Sequence, residues 1–419
     1  MKRSRRISVA ILFQAGAVFT AAFTLSVNAD ERANETDFMR GTPPPLDARV
    51  TKANWFTGPY NRWGLQHVRQ IAPTIEISRG DGPVYPLPST PEPITALQVE
   101  DLDGETRTIA DWLEASYTDG FLVLYNGNVL AEVYMNSMTK KSYHNYFSMS
   151  KSLTGNLAGI FADRGQLDIE AKITDYVPEM VGGAYEGATV RQVLDMTVGI
   201  DYSEDYDDPE SDVYVYSAAA NGTPNPKGLA IYDVLPKLRS GGAHGATFHY
   251  VTANTDALGW IVQRASDRHL AELLSTEIWS KLGAERDAYA IADLNGIPWM
   301  GGGFNSTLRD AARFGLMMLQ DGAINGHQVV PASYIRDIRE NAIKTGYPET
   351  SYRNHWWVYP RLDAFAAQGV AGQRIMIFPD HDLVIVKLSS WPELSGYHKE
   401  GRAYDQRAID AIIHYVDEQ

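Results

Sequence analysis

Two stretches of this chain place a serine three residues before a lysine: Ser137-Met138-Thr139-Lys140 and Ser148-Met149-Ser150-Lys151. A serine hydroxyl attacks a carbonyl only when a neighbour takes its proton, and a desolvated lysine has its pKa lowered far enough to do so. The chemistry on offer is therefore acyl transfer. The bare spacing is short enough to recur by chance, so context must separate the two matches. Ser137 follows a strand-like run in a polar stretch that holds neither side chain. Ser148 opens a segment reaching Asp163 with Leu153, Leu157, Ile160 and Phe161 on one side. This predicts a buried helix, in which positions i and i+3 share a face and the start aims N–H groups at an oxyanion. The competing reading of the same residues is an N-cap serine followed by a solvated lysine.

Other chemistries find no foothold. The sequence has no Gly-x-Ser-x-Gly elbow, no His-Glu-x-x-His and no phosphate loop ending in Gly-Lys-Ser/Thr. The 10 histidines are scattered, and His244 and His249 are spaced so that they share no helix face. Gly301-Gly302-Gly303 lacks dinucleotide-binding spacing and reads as a tight turn. The chain has no cysteine, which excludes a disulfide framework, a thiolate metal site and a catalytic thiol. A net charge of −15 and a pI near 5.1 argue against a nucleic-acid partner.

The elements that must position Ser148 follow from the rest of the 419 residues, of which 44% are hydrophobic, enough for a large core. Lys2, Arg3, Arg5 and Arg6 precede an apolar, uncharged run from Ile7 to Val27, with a small-residue cleavage site before Asp30. Residues 1–29 read as an export signal, partly of twin-arginine type, which places the enzyme in the periplasm or outside the cell. Its removal takes four positive charges, giving −15 − 4 = −19. The competing reading is an uncleaved anchor. Residues 30–97, rich in Pro, Thr and Arg, read as an extended arm. Phe121 to Tyr125 and Val129 to Tyr134 are strands joined through Asn126-Gly127, a tight-hairpin pair. Helices are expected over Val190 to Met196, Thr252 to Ala265, residues 307–320 and Arg402 to Val416, and strands over Arg374 to Phe378 and Leu383 to Ser389. Strands at both ends imply one α/β domain from 98–164 and 298–419, interrupted by a mainly helical 165–297.

Tyr146-Phe147-Ser148-Met149-Ser150-Lys151-Ser152 resembles the first motif of the serine β-lactamase and penicillin-binding-protein superfamily. Within it, the closest likeness is to the branch of 6-aminohexanoate-dimer hydrolases and family VIII carboxylesterases. Trp63-Gly64 with Arg69 and Pro73-Thr74 is similar to that branch's N-terminal arm. Val190 to Ile200 resembles its Leu-Leu-x-Met-Thr-Ser-Gly-Leu helix and turn, and Gly301 to Leu308 its Gly-rich approach to the last strands. Tyr250 to Gly259 fits the second motif, Tyr-x-Asn with its flanks, and the resemblance implies that Tyr250 shuttles a proton between Ser148 and the leaving group. An unperturbed phenol titrates near 10, so that role requires a neighbouring positive charge such as Lys151. Thr252 stands where many relatives have Asn. The third motif, Lys-Thr-Gly, is absent; Gln368-Gly369-Val370-Ala371-Gly372-Gln373 resembles the branch's Gly-x-x-Gly-Gln version. This implies an oxyanion hole from the backbone N–H groups of Ser148 and Val370, with Gly369 and Thr252 at the substrate.

The resemblance further implies the β-lactamase/transpeptidase-like α+β fold, an antiparallel sheet flanked by helices plus an all-helical domain. It implies an exported serine hydrolase acting on small esters or amides, 6-aminohexanoate-oligomer-type amides and short-chain esters among them. No metal or organic cofactor, no nucleic acid and no stable membrane insertion after signal cleavage are implied; the oligomeric state stays open. The rival is a β-lactamase or D-alanyl-D-alanine peptidase, which the missing lysine of the third motif disfavours. In members that cleave aminohexanoate dimers an acidic residue binds the substrate ammonium. The run from Asp201 to Asp212 offers candidates, Asp201 first, with Tyr202 and Trp356 packing the methylenes. The competing reading is a solvated acidic loop.

Overall fold

The computed structural model describes residues 35–100, 104–394 and 401–419; the expected export signal lies outside them. Eight strands form one antiparallel sheet in the order Ile343–Lys344, Ser351–Arg353, Trp356–Tyr359, Ala364–Gly369, Gln373–Phe378, Leu383–Ser389, Thr118–Tyr125, Asn128–Tyr134. Asn126 and Gly127 take φ of 49° and 75° between the last two, the tight turn their types require. Leu383–Ser389 pairs with Thr118–Tyr125, so segments far apart in sequence complete one sheet.

Side chains alternate between the faces of this sheet. Phe121, Val123, Met376 and Ile385 pack against the helices Ile109–Ala115 and Arg402–Asp417, through Trp112, Leu113, Ala408, Ile409 and Ile412. On the opposite face lies the helix Leu308–Leu319, started by Thr307, which accepts the backbone N–H of Asp310. A Cβ at its Gly315 would sit 2.6 Å from Val384 and 2.9 Å from Ile375, so the helix approaches this closely only because the residue has none.

Residues 165–297 run mostly through short helices and loops, and the longer helix Ala253–Ser266 packs on Ser150–Asp163. The segment ends in a strand, Ala288–Ile291, that the sequence reading left out. All four of its residues are buried, so it shows no alternation to betray it. It joins a second sheet in the order Thr74–Ile77, Ala288–Ile291, Phe304–Ser306, His144–Asn145. Thr74–Ile77, from the segment read as an extended arm, is thus a member of a sheet. His144–Asn145 runs directly into the Ser148 turn. Among the described residues no helix is long and apolar enough to cross a membrane.

Candidate active site

The nucleophile turn is clamped before it begins. The Asn145 side-chain oxygen accepts the Phe147 N–H at 2.9 Å, and Ser150 Oγ donates to the Phe147 carbonyl at 2.6 Å while accepting the Phe304 N–H at 3.1 Å. These bonds hold buried Phe147 at φ 45°, a left-handed conformation that costs a residue with a Cβ. One tight turn, Phe147–Met149, then leads into the helix Ser150–Asp163. Ser148 therefore stands just ahead of the α-helix, partly exposed, with Lys151 in its first turn.

Lys151 is buried. Its Nζ lies 2.8 Å from Ser148 Oγ, 3.2 Å from Thr252 Oγ1 and 2.6 Å from the Gly301 carbonyl oxygen. The Thr252 hydroxyl donates to Glu204, so it offers Lys151 a lone pair, as the carbonyl does. Two N–H groups of an uncharged amine are thereby committed. Its lone pair is left for the one neighbour with a proton to give, Ser148. Burial pushes the Lys151 pKa down to about 8, against the carboxylates of Glu204 and Asp256, which raise it. Such an amine is a competent general base.

Asp256, buried in the first turn of the helix Ala253–Ser266, accepts the N–H groups of Met300 at 2.8 Å and Gly301 at 3.2 Å and the Tyr216 hydroxyl at 2.9 Å. It therefore fixes the turn whose carbonyl faces Lys151. Burial raises its pKa to about 7, and the hydrogen bonds from Tyr216 and Met300 limit the rise.

Tyr250 shares a side-chain hydrogen bond with Ser148, and Lys151 Nζ stands 5.1 Å over its ring. Burial first, and the Glu204 carboxylate second, push its phenol pKa up. The lowering expected from Lys151 is not found: the ammonium sits over the ring face, and desolvation disfavours a phenolate. Tyr250 thus stays protonated at neutral pH and is suited to hand on a proton. A cavity of about 550 Å³ opens over these groups, lined by Ser148, Glu204, Tyr250, Trp357, Gly369 and Val370 among others. A Cβ on Gly369 would lie 2.4 Å from the Tyr146 carbonyl, so the strand end that leads into the Val370 turn reaches the nucleophile turn only because this residue is glycine.

The sequence matches the β-lactamase family over residues 113–409. The chain belongs to the β-lactamase family. It is 37% identical to the 6-aminohexanoate-dimer hydrolase of Paenarthrobacter ureafaciens over 388 residues, 88% of this chain and 97% of that protein. A Bacillus anthracis structure with a provisional 6-aminohexanoate-dimer hydrolase assignment superposes with a TM-score of 0.83 at 28% identity, covering 90% of this chain and 99% of its own. A family VIII carboxylesterase shares the fold with a TM-score of 0.56 at 15% identity, covering 72% and 96%. The β-lactamase/transpeptidase-like α+β fold and a serine-hydrolase function follow.

In this β-lactamase-family site Ser148, Lys151, Tyr250, Thr252, Gly369 and Val370 come together, while three residues expected at the substrate stand elsewhere. Asp201 is turned to solvent and paired with Arg239 at 3.0 Å, because Ile200–Asp201 ladders with Arg239–Ser240. Tyr202 is buried away from the cavity wall. Trp356 is buried in the core, donating to Asn156 at 3.0 Å and stacking on Phe314; its neighbour Trp357 stacks on Tyr250 at the wall. Strand alternation makes that one-residue shift a change of face. The acidic run does reach the site, through Glu204. Its carboxylate accepts the Thr252 N–H at 2.8 Å and the Tyr206 hydroxyl at 2.9 Å. Asp256 was legible only as a carboxylate among apolar helix positions. The first Ser-x-x-Lys is exposed, with Lys140 3.6 Å from Glu132.

Proposed function

We propose that this enzyme hydrolyses linear amides and esters through an acyl-enzyme on Ser148, with 6-aminohexanoate-type amides as the natural chemistry. The observation that carries the reading is the placement of Lys151 Nζ against two acceptors, Thr252 Oγ1 and the Gly301 carbonyl, with Ser148 Oγ at 2.8 Å; once the amine is uncharged, these acceptors take its two N–H groups and leave its lone pair for Ser148. Uncharged Lys151 takes the Ser148 proton as Oγ bonds to the substrate carbonyl carbon. The oxyanion is held by the N–H groups of Ser148 and Val370. As the tetrahedral intermediate collapses, Tyr250 protonates the departing amine or alcohol and is reprotonated by the Lys151 ammonium beside it, which holds the proton taken from Ser148. Water then enters by the same relay in reverse and releases the acid. Glu204 on the cavity wall favours amine-bearing substrates. Gln368 lines this cavity and, among the described residues, no lysine or arginine lines it to meet a β-lactam carboxylate, which supports linear substrates over penicillins.

A fluorophosphonate probe followed by mass spectrometry, with turnover of 6-aminohexanoate dimer, a short-chain ester and nitrocefin, tests this. An adduct on the Ser148 peptide with turnover of the linear substrates is expected. Nitrocefin turnover alone would assign the site to penicillin chemistry. We also read the enzyme as exported, on the basic and apolar residues before Asp30; N-terminal sequencing of the mature protein tests that.

A further inference from the structure

Ser148 and Val370 lie at the junction of two spaces. One is the cavity of about 550 Å³ that holds Tyr250. The other is a narrow chamber of about 50 Å³ lined by Phe147, Thr252 and Gly302. Tyr250 delivers the proton to the leaving group, so the leaving group belongs on its side and the acyl chain belongs in the narrow chamber. That chamber has Phe56, Tyr206 and Tyr214 in common with an outer groove of about 580 Å³. The three rings line both spaces and hold one another: Phe56 stacks on Tyr214 at 6.0 Å, Tyr206 meets Tyr214 edge-on at 6.5 Å, and the Tyr214 hydroxyl donates to the Tyr206 carbonyl at 2.9 Å. Beyond them the groove wall is mostly apolar, with Val215, Ala218, Pro224 and Leu229, and carries one acid and one base, Asp207 and Lys227.

We propose that this outer groove is a distal acyl subsite for long, linear, methylene-rich chains, reached from Ser148 past Phe56, Tyr206 and Tyr214. The inference rests on the hydrolase reading above and adds which side of the scissile bond is read and how far. An apolar wall of this volume suits a flexible chain. Asp207 and Lys227 together offer one acceptor and one donor with no net charge, the match for an amide within such a chain rather than for a lone ion.

The test varies the acyl chain at a constant leaving group, with p-nitrophenyl acetate, hexanoate and decanoate. In the wild type kcat/KM should climb with length, by at most about fourfold per added methylene, and continue to climb from hexanoate to decanoate. Ala218→Phe and, independently, Leu229→Trp fill the groove; both should keep acetate turnover and lose at least tenfold on decanoate. Calorimetric binding of decanoate, tighter to wild type than to either variant, reads the groove without turnover. A wild type flat beyond hexanoate, or variants that bind decanoate as the wild type does, would overturn the subsite. Loss of acetate turnover and of probe labelling in the wild type would instead overturn the Ser148 reading, and the binding arm would still decide the groove.

Discussion

The Glu204 carboxylate closes on Thr252 from two sides, accepting its backbone N–H at 2.8 Å and its hydroxyl. Thr252 cannot then donate toward Lys151; it presents a lone pair and takes an N–H from it at 3.2 Å. A residue without contact to Ser148 among its hydrogen bonds thus sets the direction in which the base points. Glu204 does so as an anion, and its charge reaches Lys151 as well, raising the pKa that burial lowers to about 8.

The pH dependence follows with a definite sign. The base must be uncharged, so kcat/KM for an uncharged ester should rise with pH through an acid limb near 8. Glu204 and Asp256 both raise the Lys151 pKa. Glu204→Gln and Asp256→Asn remove that charge, so each should move the limb to lower pH. Asp256, with a pKa of about 7, is half ionised at the foot of the limb and mostly ionised at its midpoint, so its effect grows along the limb. A limb that stays put or moves up in both variants would show that neither carboxylate acts on Lys151.

Ser148, Lys151 and Tyr250 should fail as a unit. Lys151→Ala and Tyr250→Phe each interrupt one proton path, and each should lower kcat by about 10²- to 10⁴-fold with KM little changed. The double variant should be scarcely worse than the weaker single one. If the losses multiply, the two residues act in separate steps.

The two adjacent tryptophans should separate cleanly. Trp356 is fully buried and hydrogen-bonded to Asn156, so Trp356→Ala should cost about 3–5 kcal/mol of stability by denaturant unfolding. Trp357 lines the cavity beside Tyr250. Trp357→Phe, which keeps an aromatic ring in its buried cluster with Met196 and Tyr352, should cost less stability than Trp356→Ala and should raise KM.

Which parts of this site a sequence discloses depends on how local the physics is. Ser148, Lys151 and the hairpin at Asn126-Gly127 are set by neighbours a few residues away, in spacing or turn chemistry, and can be read along the chain. Tyr250 and Gly369 are non-local but sit in motifs the family shares. Glu204, Asp256 and Trp357 depend on pairings made across the fold. Asp201 faces solvent because its strand pairs with Arg239, which leaves the loop to bring Glu204 in. Trp357 rather than Trp356 meets the cavity because of the register of Trp356–Tyr359 against Ala364–Gly369. An acidic run and a Trp-Trp pair signal that something there matters without saying which member. The strand Ala288–Ile291 escaped for the same reason: all four residues are buried and its ladder partners, from the arm on one edge and from Phe304–Ser306 on the other, are distant in sequence.

Gly369 offers the sharpest test of the oxyanion assignment. Its backbone is extended, φ −133°, so any residue could adopt the conformation and only space excludes a side chain. That space is taken by the Tyr146 carbonyl at 2.4 Å and by Phe147 Cβ at 3.1 Å. Both belong to the clamped turn that carries Ser148, and neither is the flexible end of a side chain. Gly369→Ala must therefore push the strand away from the turn. The next residue is Val370, whose N–H is assigned to the oxyanion, while Ser148, Lys151 and Tyr250 keep their own contacts. The variant should still react with a fluorophosphonate, more slowly, and should lose about 10²- to 10³-fold in kcat on an ester, the range for one displaced oxyanion donor. Its acid limb should stay near that of the wild type, because Lys151 is untouched. A kcat within a few-fold of wild type would mean that the oxyanion is held elsewhere than on the Val370 turn.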